Sequence, residues 1–270
     1  MSSKPITSPL MPSTDNSEAL ASGLNGVMPD EVDLSRRATL IEMMDEPCSY
    51  EDLRDCLRDI ARVNRLTFAH RPTILWIEEF LAAHPSPARP LRIVDVGCGD
   101  GDMLRRIDVL AAKRGVPVEL TGVDLNPDAV RAAKEATAPL KRLQHGIKWL
   151  VGDGFSNPVT GDVDLVICSL LTHHLTDAQV VQFLQWAERT ARLGWFVNDL
   201  HRKAVPYHLF RLWAQFTNWH PFVKNDGPVS IRRSFVVEDW KHLCAASGLD
   251  LDAISIKEYR PARLCVGRVK

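Results

Sequence analysis

The sequence predicts an α/β fold with a doubly wound, mostly parallel sheet that ends in an antiparallel strand. From Leu91 onward, short apolar runs alternate with helical patterns, and strands that alternate with helices form a parallel sheet covered on both faces. Near the C-terminus, Arg260 and Pro261 separate two further strand-like runs, which predicts a hairpin. The hairpin would close the sheet with an antiparallel strand.

The predicted elements follow one another in a regular order. Strands are expected at 91–96, 118–124, 147–151, 163–171 and 194–200, and the hairpin strands at about 251–259 and 262–269. Helices are expected at about 101–114, 127–138, 177–191 and 236–247. Asn126 and Pro127 form an N-cap and first-turn pair at the start of the second of these helices.

The chain before this alternation is predicted to hold a tail and a helical extension. Residues 1–33 are rich in Ser, Pro, Thr, Asn and Gly without an apolar period, which predicts a disordered tail. Residues 34–88 form the N-terminal helical extension, with Ser49 as the N-cap of one helix and Pro72 in the first turn of another. Residues 89–270 are the α/β domain, with an aromatic-rich insertion at 203–233.

Composition argues against several classes of protein. The 33 Lys and Arg against 34 Asp and Glu give a net charge of -1, so no nucleic-acid partner is expected. The six cysteines include no C-x-x-C pair, which predicts neither a disulfide framework nor a zinc site. No apolar run approaches the roughly 18–20 residues of a membrane helix. We therefore expect a cytoplasmic protein without stable membrane insertion.

The glycine-rich turn at 94–102, with the sequence VDVGCGDGD, carries the strongest functional signal. It lies between the first predicted strand and the first helix, where a doubly wound sheet binds its ligand. A dinucleotide loop would place a third glycine where Asp102 stands, and no G-K-[ST] of a P-loop follows. The nearby carboxylates of Asp95, Asp100 and Asp102 suit a ligand that is cationic at this end. The alternative is that these glycines serve turn geometry alone.

Two later strand ends add acids that suit a nucleoside. Asp124 ends the second predicted strand about 20 residues beyond the loop, where an acid can accept hydrogen bonds from both ribose hydroxyls. After the third strand, Asp153 could accept from an adenine amino group, and Phe155 could lie against its ring. Each acid alone is more often a helix cap or a solvated charge, but their succession favours one nucleoside site.

The ordered segments VDVGCGDG, GVDLNP, GDGF and CSLLTHHL, over about residues 90–270, resemble class I S-adenosylmethionine-dependent methyltransferases. This resemblance implies a Rossmann-like sheet, S-adenosylmethionine as the cofactor and a final antiparallel strand. Gly97 and Gly99 would lie against the methionine part, and Cys168 or Ser169 near its amino group. The implied cofactor-binding residues are Asp95, Gly97, Cys98, Gly99, Asp124, Leu125, Asp153, Gly154, Phe155, Cys168 and Ser169.

The candidate general bases are His173 and His174, which follow the fourth predicted strand and resemble the LHH segment of quinone-biosynthesis methyltransferases. A phenol, with a pKa of about 10, gains from a nearby base. Adjacent side chains diverge, so one at most should face the reacting methyl group. Alternatively, one histidine caps the next helix and the other packs. His201 is the third candidate, and Asp199 could pair with it or cap a helix. No metal site is expected.

The predicted function is O-methylation of a small phenolic, quinol or polyketide-like acceptor. The aromatic insertion at 203–233 would roof the acceptor pocket, since apolar walls suit such molecules. The segment Ser169–Thr172 replaces the N-P-P-Y motif, which argues against methylation of DNA adenine or glutamine. Two alternatives stay open: C-methylation in quinone biosynthesis, and a catalytically silent methyltransferase-like subunit. The sequence does not determine the oligomeric state.

Overall fold

The computed structural model describes residues 32–85, 87–140, 143, 146–155 and 162–270. Residues 34–270 pack as one unit. The tail predicted at 1–33 lies almost entirely outside the described residues. Among the helices that are described, none is long and apolar enough to span a bilayer.

The sheet has seven strands in the order β3-β2-β1-β4-β5-β7-β6. The strands are β1 (Leu91–Val96), β2 (Val118–Asp124), β3 (Ile147–Val151), β4 (Val163–Ser169), β5 (Ala191–Leu200), β6 (Ser255–Tyr259) and β7 (Arg263–Val269). Strands β1 to β5 pair in parallel, whereas β7 is antiparallel to both β5 and β6. The predicted fold class is therefore confirmed, including the C-terminal hairpin.

Helices cover both faces of the sheet, and two of them precede its first strand. They are α1 (Tyr50–Leu66), α2 (Arg71–Ala83), α3 (Asp102–Arg114), α4 (Pro127–Thr137), α5 (Asp177–Thr190), α6 (Ala204–Gln215), α7 (Pro221–Arg233) and α8 (Val237–Ala246). Short 3-10 turns lie at Met43–Asp45, Thr172–His174 and Leu251–Ala253. The predicted N-caps Ser49 and Asn126 both accept a backbone hydrogen bond from the first turn of their helices.

Strand β4 shows that the sheet is buried on both faces. Its residues alternate between two apolar clusters: Val166 and Cys168 pack with α5 and α8, and Leu165 and Ile167 pack with α2 and α3. Such a strand is a continuous apolar run without a polar face, as the sequence showed. The strand ends at Ser169, two residues before the predicted end, because Leu170 has a left-handed φ of 59°.

Two other predicted boundaries were displaced. Strand β5 begins at Ala191, three residues before the predicted start, since Ala191 pairs with Val163 and is buried in the core. Strand β6 begins only at Ser255, because a 3-10 turn precedes it and the Asp250 side chain caps that turn. Both errors concern local ends and leave the topology unchanged.

A buried carboxylate links β4 to residues of the neighbouring strands at the edge of the sheet opposite the glycine turn. Asp164, at the start of β4, accepts hydrogen bonds from Arg89 (2.7 and 3.1 Å), from Arg192 (2.7 and 2.9 Å) and from the Arg92 amide (2.9 Å). Burial alone would raise the pKa of Asp164, but these hydrogen bonds hold it below its ordinary value. The ionised carboxylate therefore stabilises the folded chain.

We expect Asp164→Asn to lower the free energy of unfolding by about 2–3 kcal/mol at neutral pH, the scale of hydrogen bonds to a charged group. Because the folded-state pKa is depressed, this stabilisation is complete above about pH 4 and is lost as the pH falls further. Urea unfolding at several pH values measures it, with the exposed Asp252→Asn as a control. Equal stability of Asp164→Asn and wild type at pH 7 would contradict the assignment.

Candidate active site

The glycine turn after β1 runs against the ends of β2 and β4. The amides of Gly97 and Cys98 both donate to the Val123 carbonyl oxygen, at 2.9 and 3.1 Å. A Cβ atom added at Gly97 would lie 2.9 Å from a methyl carbon of Leu171 in the loop after β4. The turn therefore brings the chain after β4 directly beside the predicted methionine end of the cleft.

Two buried side-chain oxygens near the ends of β1 and β4 lack a hydrogen-bond partner among the described residues. These are Oδ1 of Asp95 and Oγ of Ser169, and the two strands are adjacent. Burial, reinforced by the charges of Asp102 and Asp124, raises the pKa of Asp95 well above its ordinary value. A cationic amino group would satisfy both oxygens and favour ionised Asp95, so the residues present fit the methionine end of S-adenosylmethionine.

The other two acids of the turn are paired within the protein, which corrects the expectation that they face a cationic ligand. Asp100 accepts from Arg105 at 3.1 Å, and the Asp102 carboxylate bonds the His70 ring. Arg105 lies in α3, and His70 lies in the turn between α1 and α2. Sequence spacing could not reveal that they pair with these acids. Asp95 is left as the acid whose charge a ligand could satisfy.

Asp124 holds the glycine turn and retains capacity for a ligand. Its Oδ2 accepts from the Gly99 amide at 2.9 Å, and its Oδ1 accepts from the Asn126 amide at 3.0 Å. A carboxylate has about four acceptor positions, so two are left for hydroxyl groups. Leu125 follows with 73% of its surface exposed, which leaves an apolar surface beside the carboxylate. This arrangement fits a ribose with its attached base.

Replacing Asp124 by Ala is expected to weaken binding of S-adenosylhomocysteine by about 1.5–3 kcal/mol, the scale of hydrogen bonds to a charged group. Calorimetric titration measures this loss. Glu119→Ala is the matched control, because Glu119 is an exposed acid on the same strand at the opposite edge of the sheet. An unchanged dissociation constant in Asp124→Ala would exclude the ribose assignment.

The loop after β3 contributes the remaining predicted adenine contacts. Oδ1 of Asp153 accepts from the Phe155 amide at 3.0 Å, and a Cβ atom at Gly154 would lie 2.4 Å from a methyl carbon of Val96. The loop thus packs tightly on the end of β1. The Phe155 ring contacts Phe183 in α5, with ring centroids 5.2 Å apart. Its contact with adenine, and the role of Asp153, stay predictions.

The thiols of the two predicted cysteines are buried, and their contact with a cofactor stays a prediction. Cys168 is fully buried within the apolar core beside Val166 and Trp195. Cys98 is buried beneath the glycine turn, and burial raises the pKa of its thiol. Of the predicted pair at the end of β4, Ser169 is therefore the residue that offers a ligand an unsatisfied polar atom.

Asp199 of β5 fixes the turn that carries both predicted histidines. Its carboxylate accepts from the Thr172 hydroxyl, from the His173 amide at 3.0 Å and from Nδ1 of His173 at 2.7 Å. Burial opposes ionisation, but the His173 ring and these hydrogen bonds hold the pKa of Asp199 well below its ordinary value. The possible pairing of Asp199 with His201 is wrong, because its oxygens are committed to the turn after β4.

His201 lies apart from this cluster in its described contacts. Its Nδ1 is 3.7 Å from a carboxylate oxygen of Glu258 on β6, and its backbone forms a bridge with Phe235. Burial, together with the charge of Lys203, lowers the pKa of His201. His173 and His174 therefore belong to one cluster, and the described contacts of His201 are with other residues.

Three residues that the sequence did not single out complete the histidine cluster. Nδ1 of His174 lies 3.0 Å from Asp45, and Arg233 lies 2.9 Å from the same carboxylate and 3.4 Å from Glu42. Glu42 is 1% exposed, and burial raises its pKa to about 7 against the opposing charges of His174 and Arg233. These acids lie far from the histidines in sequence and show no periodicity, so no sequence signal linked them.

The histidine cluster adjoins the cofactor cleft. Burial raises the pKa of Asp124, and the charge of His174 opposes this shift, so the histidine cluster lies within electrostatic range of the carboxylate. Leu171, immediately before the histidine turn, contacts Gly97. An acceptor molecule at the cleft would therefore meet the carboxylate-bound imidazoles.

Comparison with known proteins relates this chain to methyltransferases. Residues 93–194 match the methyltransferase domain family. A ribosomal RNA large subunit methyltransferase G from Streptomyces griseus subsp. griseus is 32% identical over 144 residues, which cover 51% of this chain and 36% of that protein. An indolepyruvate C-methyltransferase from Streptomyces griseus is 34% identical over 87 residues, 31% of this chain and 24% of that protein. The chain thus spans well under half of these relatives.

Solved structures share the fold at low sequence identity. The plantazolicin methyltransferase BpumL in complex with SAH has a TM-score of 0.57 and 12% identity, over 81% of this chain and 95% of that chain. Magnesium protoporphyrin IX methyltransferase from Synechocystis PCC 6803 with bound SAH has a TM-score of 0.52 and 14% identity, over 75% and 84%. The chain has the class I, S-adenosylmethionine-dependent methyltransferase fold.

Proposed function

We propose that the chain transfers the methyl group of S-adenosylmethionine to an oxygen atom of a small phenolic, quinol or polyketide-like acceptor. The observation that carries this proposal is the pair of carboxylate-bound imidazoles beside the cofactor cleft. The unsatisfied oxygens of Asp95 and Ser169 support the cofactor, as do the similar folds that contain SAH.

The residues of the cluster are arranged for acid–base chemistry. The cofactor supplies an electrophilic methyl group on a sulfonium, and the protein must align an acceptor oxygen with it at about 3 Å. Because Asp199 accepts a hydrogen bond from Nδ1 of His173, Nε2 of that ring is the basic atom. Asp45 orients His174 in the same way. The His174 side chain is 19% exposed against 3% for His173, so His174 is the better placed to meet an acceptor.

The insertion supports an apolar acceptor. Helix α6 exposes a stripe of apolar side chains that includes Leu209, Leu212 and Phe216. Helix α7 ends at Arg233, which donates to the His173 carbonyl oxygen at 3.2 Å and so joins the insertion to the histidine turn. We propose that 203–233 and the helical segment within 34–88 line the acceptor pocket, since both meet this cluster.

A transfer assay tests the proposal. The full chain is incubated with methyl-deuterated S-adenosylmethionine and a panel of phenols, quinols and carboxylic acids, and the products are identified by mass spectrometry. We expect a labelled methyl ether with one S-adenosylhomocysteine released per transfer. A carbon-linked label would support C-methylation instead. S-adenosylhomocysteine binding without transfer to any acceptor would favour the silent binding subunit.

A second candidate, methylation of RNA, is favoured by one surface. A groove of about 700 Å³ between α1 and α3 is lined by Arg58, Arg62, Arg65, Arg105, Arg106 and Lys113. The relatives named as ribosomal RNA methyltransferases agree with an anionic ligand there. However, Arg62 pairs with Asp59 and Arg105 with Asp100, which neutralises part of the groove. Salt-dependent binding of a ribosomal RNA fragment, lost in Arg106→Ala, would favour RNA over the small acceptor.

A further inference from the structure

Glu42, His173 and His174 present three potential metal-ligand atoms to one another. One atom from each residue lies within 4.8 Å of the others. Nε2 of His173 is 3.7 Å from Oε1 of Glu42, and Nε2 of His174 is 3.6 Å from Oε2 of the same carboxylate. Two ligands that each lie about 2.1 Å from one ion can be separated by at most about 4.2 Å, so the two distances between Glu42 and the histidines suit a shared ion.

The protonation pattern turns both Nε2 atoms of the histidines toward Glu42, whose Oε1 also lies 3.4 Å from the Arg233 guanidinium. Asp199 and Asp45 lie at hydrogen-bond distance from the Nδ1 atoms of His173 and His174, so each Nδ1 carries a proton in the neutral ring. Both Nε2 atoms then direct lone pairs at Glu42, whose oxygens are also acceptors. Oε1 of Glu42 has no hydrogen-bond partner among the described residues, although it is buried. Facing acceptors in a buried site are stabilised by a proton or a metal cation between them.

The surrounding charges match a divalent cation. When Glu42 is ionised and both imidazoles are neutral, the carboxylates of Glu42, Asp45 and Asp199 carry three negative charges against one positive charge on Arg233, which leaves about −2. Carboxylates on the Nδ1 atoms of ligating histidines also orient the rings and raise their basicity in known metal sites. Asp199 and Asp45 occupy these outer positions here.

We propose that Glu42, His173 and His174 bind a divalent metal ion of the zinc type, with three protein ligands and a coordination position open to the acceptor cleft. Two imidazoles and one carboxylate form a ligand set that zinc accepts in catalytic sites. Binding of the ion does not depend on the proposed methyl transfer. If that function holds, an acceptor hydroxyl bound to the ion would lose its proton to solvent and attack as the oxyanion. Both imidazoles would then act as ligands, and the ion would activate the acceptor in place of a histidine base.

Direct metal binding tests the site. The full-length protein is stripped with a chelator, and Zn²⁺ is titrated in competition with a chromophoric chelator, with Co²⁺ absorption as a second measure. We expect one Zn²⁺ per wild-type chain, and the same in His208→Gln, a control histidine exposed on α6. Glu42→Gln and His174→Gln should bind no ion at concentrations that saturate wild type. Asp45→Asn should weaken binding by about 10–100-fold, as outer-shell changes do.

Two results would overturn the metal site: wild type that binds no Zn²⁺ or Co²⁺, or Glu42→Gln that binds as tightly as wild type. Circular dichroism of each variant shows whether it folds, and the ligand variants at 42 and 174 serve as independent tests. S-adenosylhomocysteine binding is measured on the same samples. Its absence in wild type would contradict the proposed function, whereas its presence without metal binding would contradict only the metal site.

Discussion

Replacement of His174 by Gln is expected to lower kcat for methyl transfer by about 10²–10⁴-fold, because a positioned base or ligand for the acceptor oxygen is lost. Replacement of His173 by Gln should have an effect of similar size, since His173 belongs to the same cluster. Affinity for S-adenosylhomocysteine should change little in either variant, because the predicted cofactor contacts come from the turns after β1, β2 and β3 and from Ser169 at the end of β4. Steady-state kinetics and calorimetry on the same samples separate the two effects.

His242→Gln is the matched control for these kinetics, since its side chain is exposed on α8, outside the insertion proposed to line the acceptor pocket. Single variants at 173 and 174 that each keep more than about a third of wild-type kcat would place the role elsewhere. His201 would then be tested next, as the sequence suggested. If His201→Gln also retained activity, alignment of the substrates alone would be the better explanation of catalysis.

Replacement of Gly101 by Ala is expected to lower the free energy of unfolding by about 2–5 kcal/mol, the sum of left-handed backbone strain and overpacking. Gly101 has a φ of 79°, and an added Cβ would lie 2.1 Å from the Trp149 ring. That ring also lies across Gly122, where an added Cβ would be 2.5 Å away, so it has little room to move. Cofactor affinity should fall as well, because the displaced turn includes Gly99.

Gly115→Ala provides the control that separates the two costs. Gly115 has a φ of 65°, but nothing lies within 4 Å of an added Cβ. It should therefore lose only the backbone contribution, about 1–2 kcal/mol. Denaturant unfolding of both variants gives the difference that belongs to Trp149. Equal losses of unfolding free energy at the two positions would show that the Trp149 ring moves aside. Gly101 would then be required only for its left-handed backbone conformation.

The sequence was sufficient to predict the sheet because the patterns that indicate its strands are local. Runs such as 163–169 are apolar on both faces, and Gly97 and Asp124 lie at strand ends, where parallel topology brings them together. The same logic predicted that the paired histidines would follow β4. The predicted strand ends were wrong where a single backbone feature determines them, as at Leu170 with its left-handed φ.

The composition of the histidine cluster was beyond sequence reasoning because it depends on contacts across the fold. The sequence left Asp199 either to pair with His201 or to cap a helix, but it bonds His173 in the loop after the adjacent strand. Glu42 and Asp45 come from a short 3-10 turn in the N-terminal extension, and no period or motif marks them. The sequence led us to expect no metal site, and the proposed one depends on Glu42, the N-cap of that turn.

The central claim is that the cleft formed by the glycine turn and Asp124 holds the adenosyl cofactor. Calorimetric titration of wild-type protein with S-adenosylhomocysteine tests it most directly. We expect saturable binding of one molecule per chain, with a dissociation constant in the micromolar range, about −8 kcal/mol. A titration without saturable binding up to about 1 mM, weaker than about −4 kcal/mol, would contradict it.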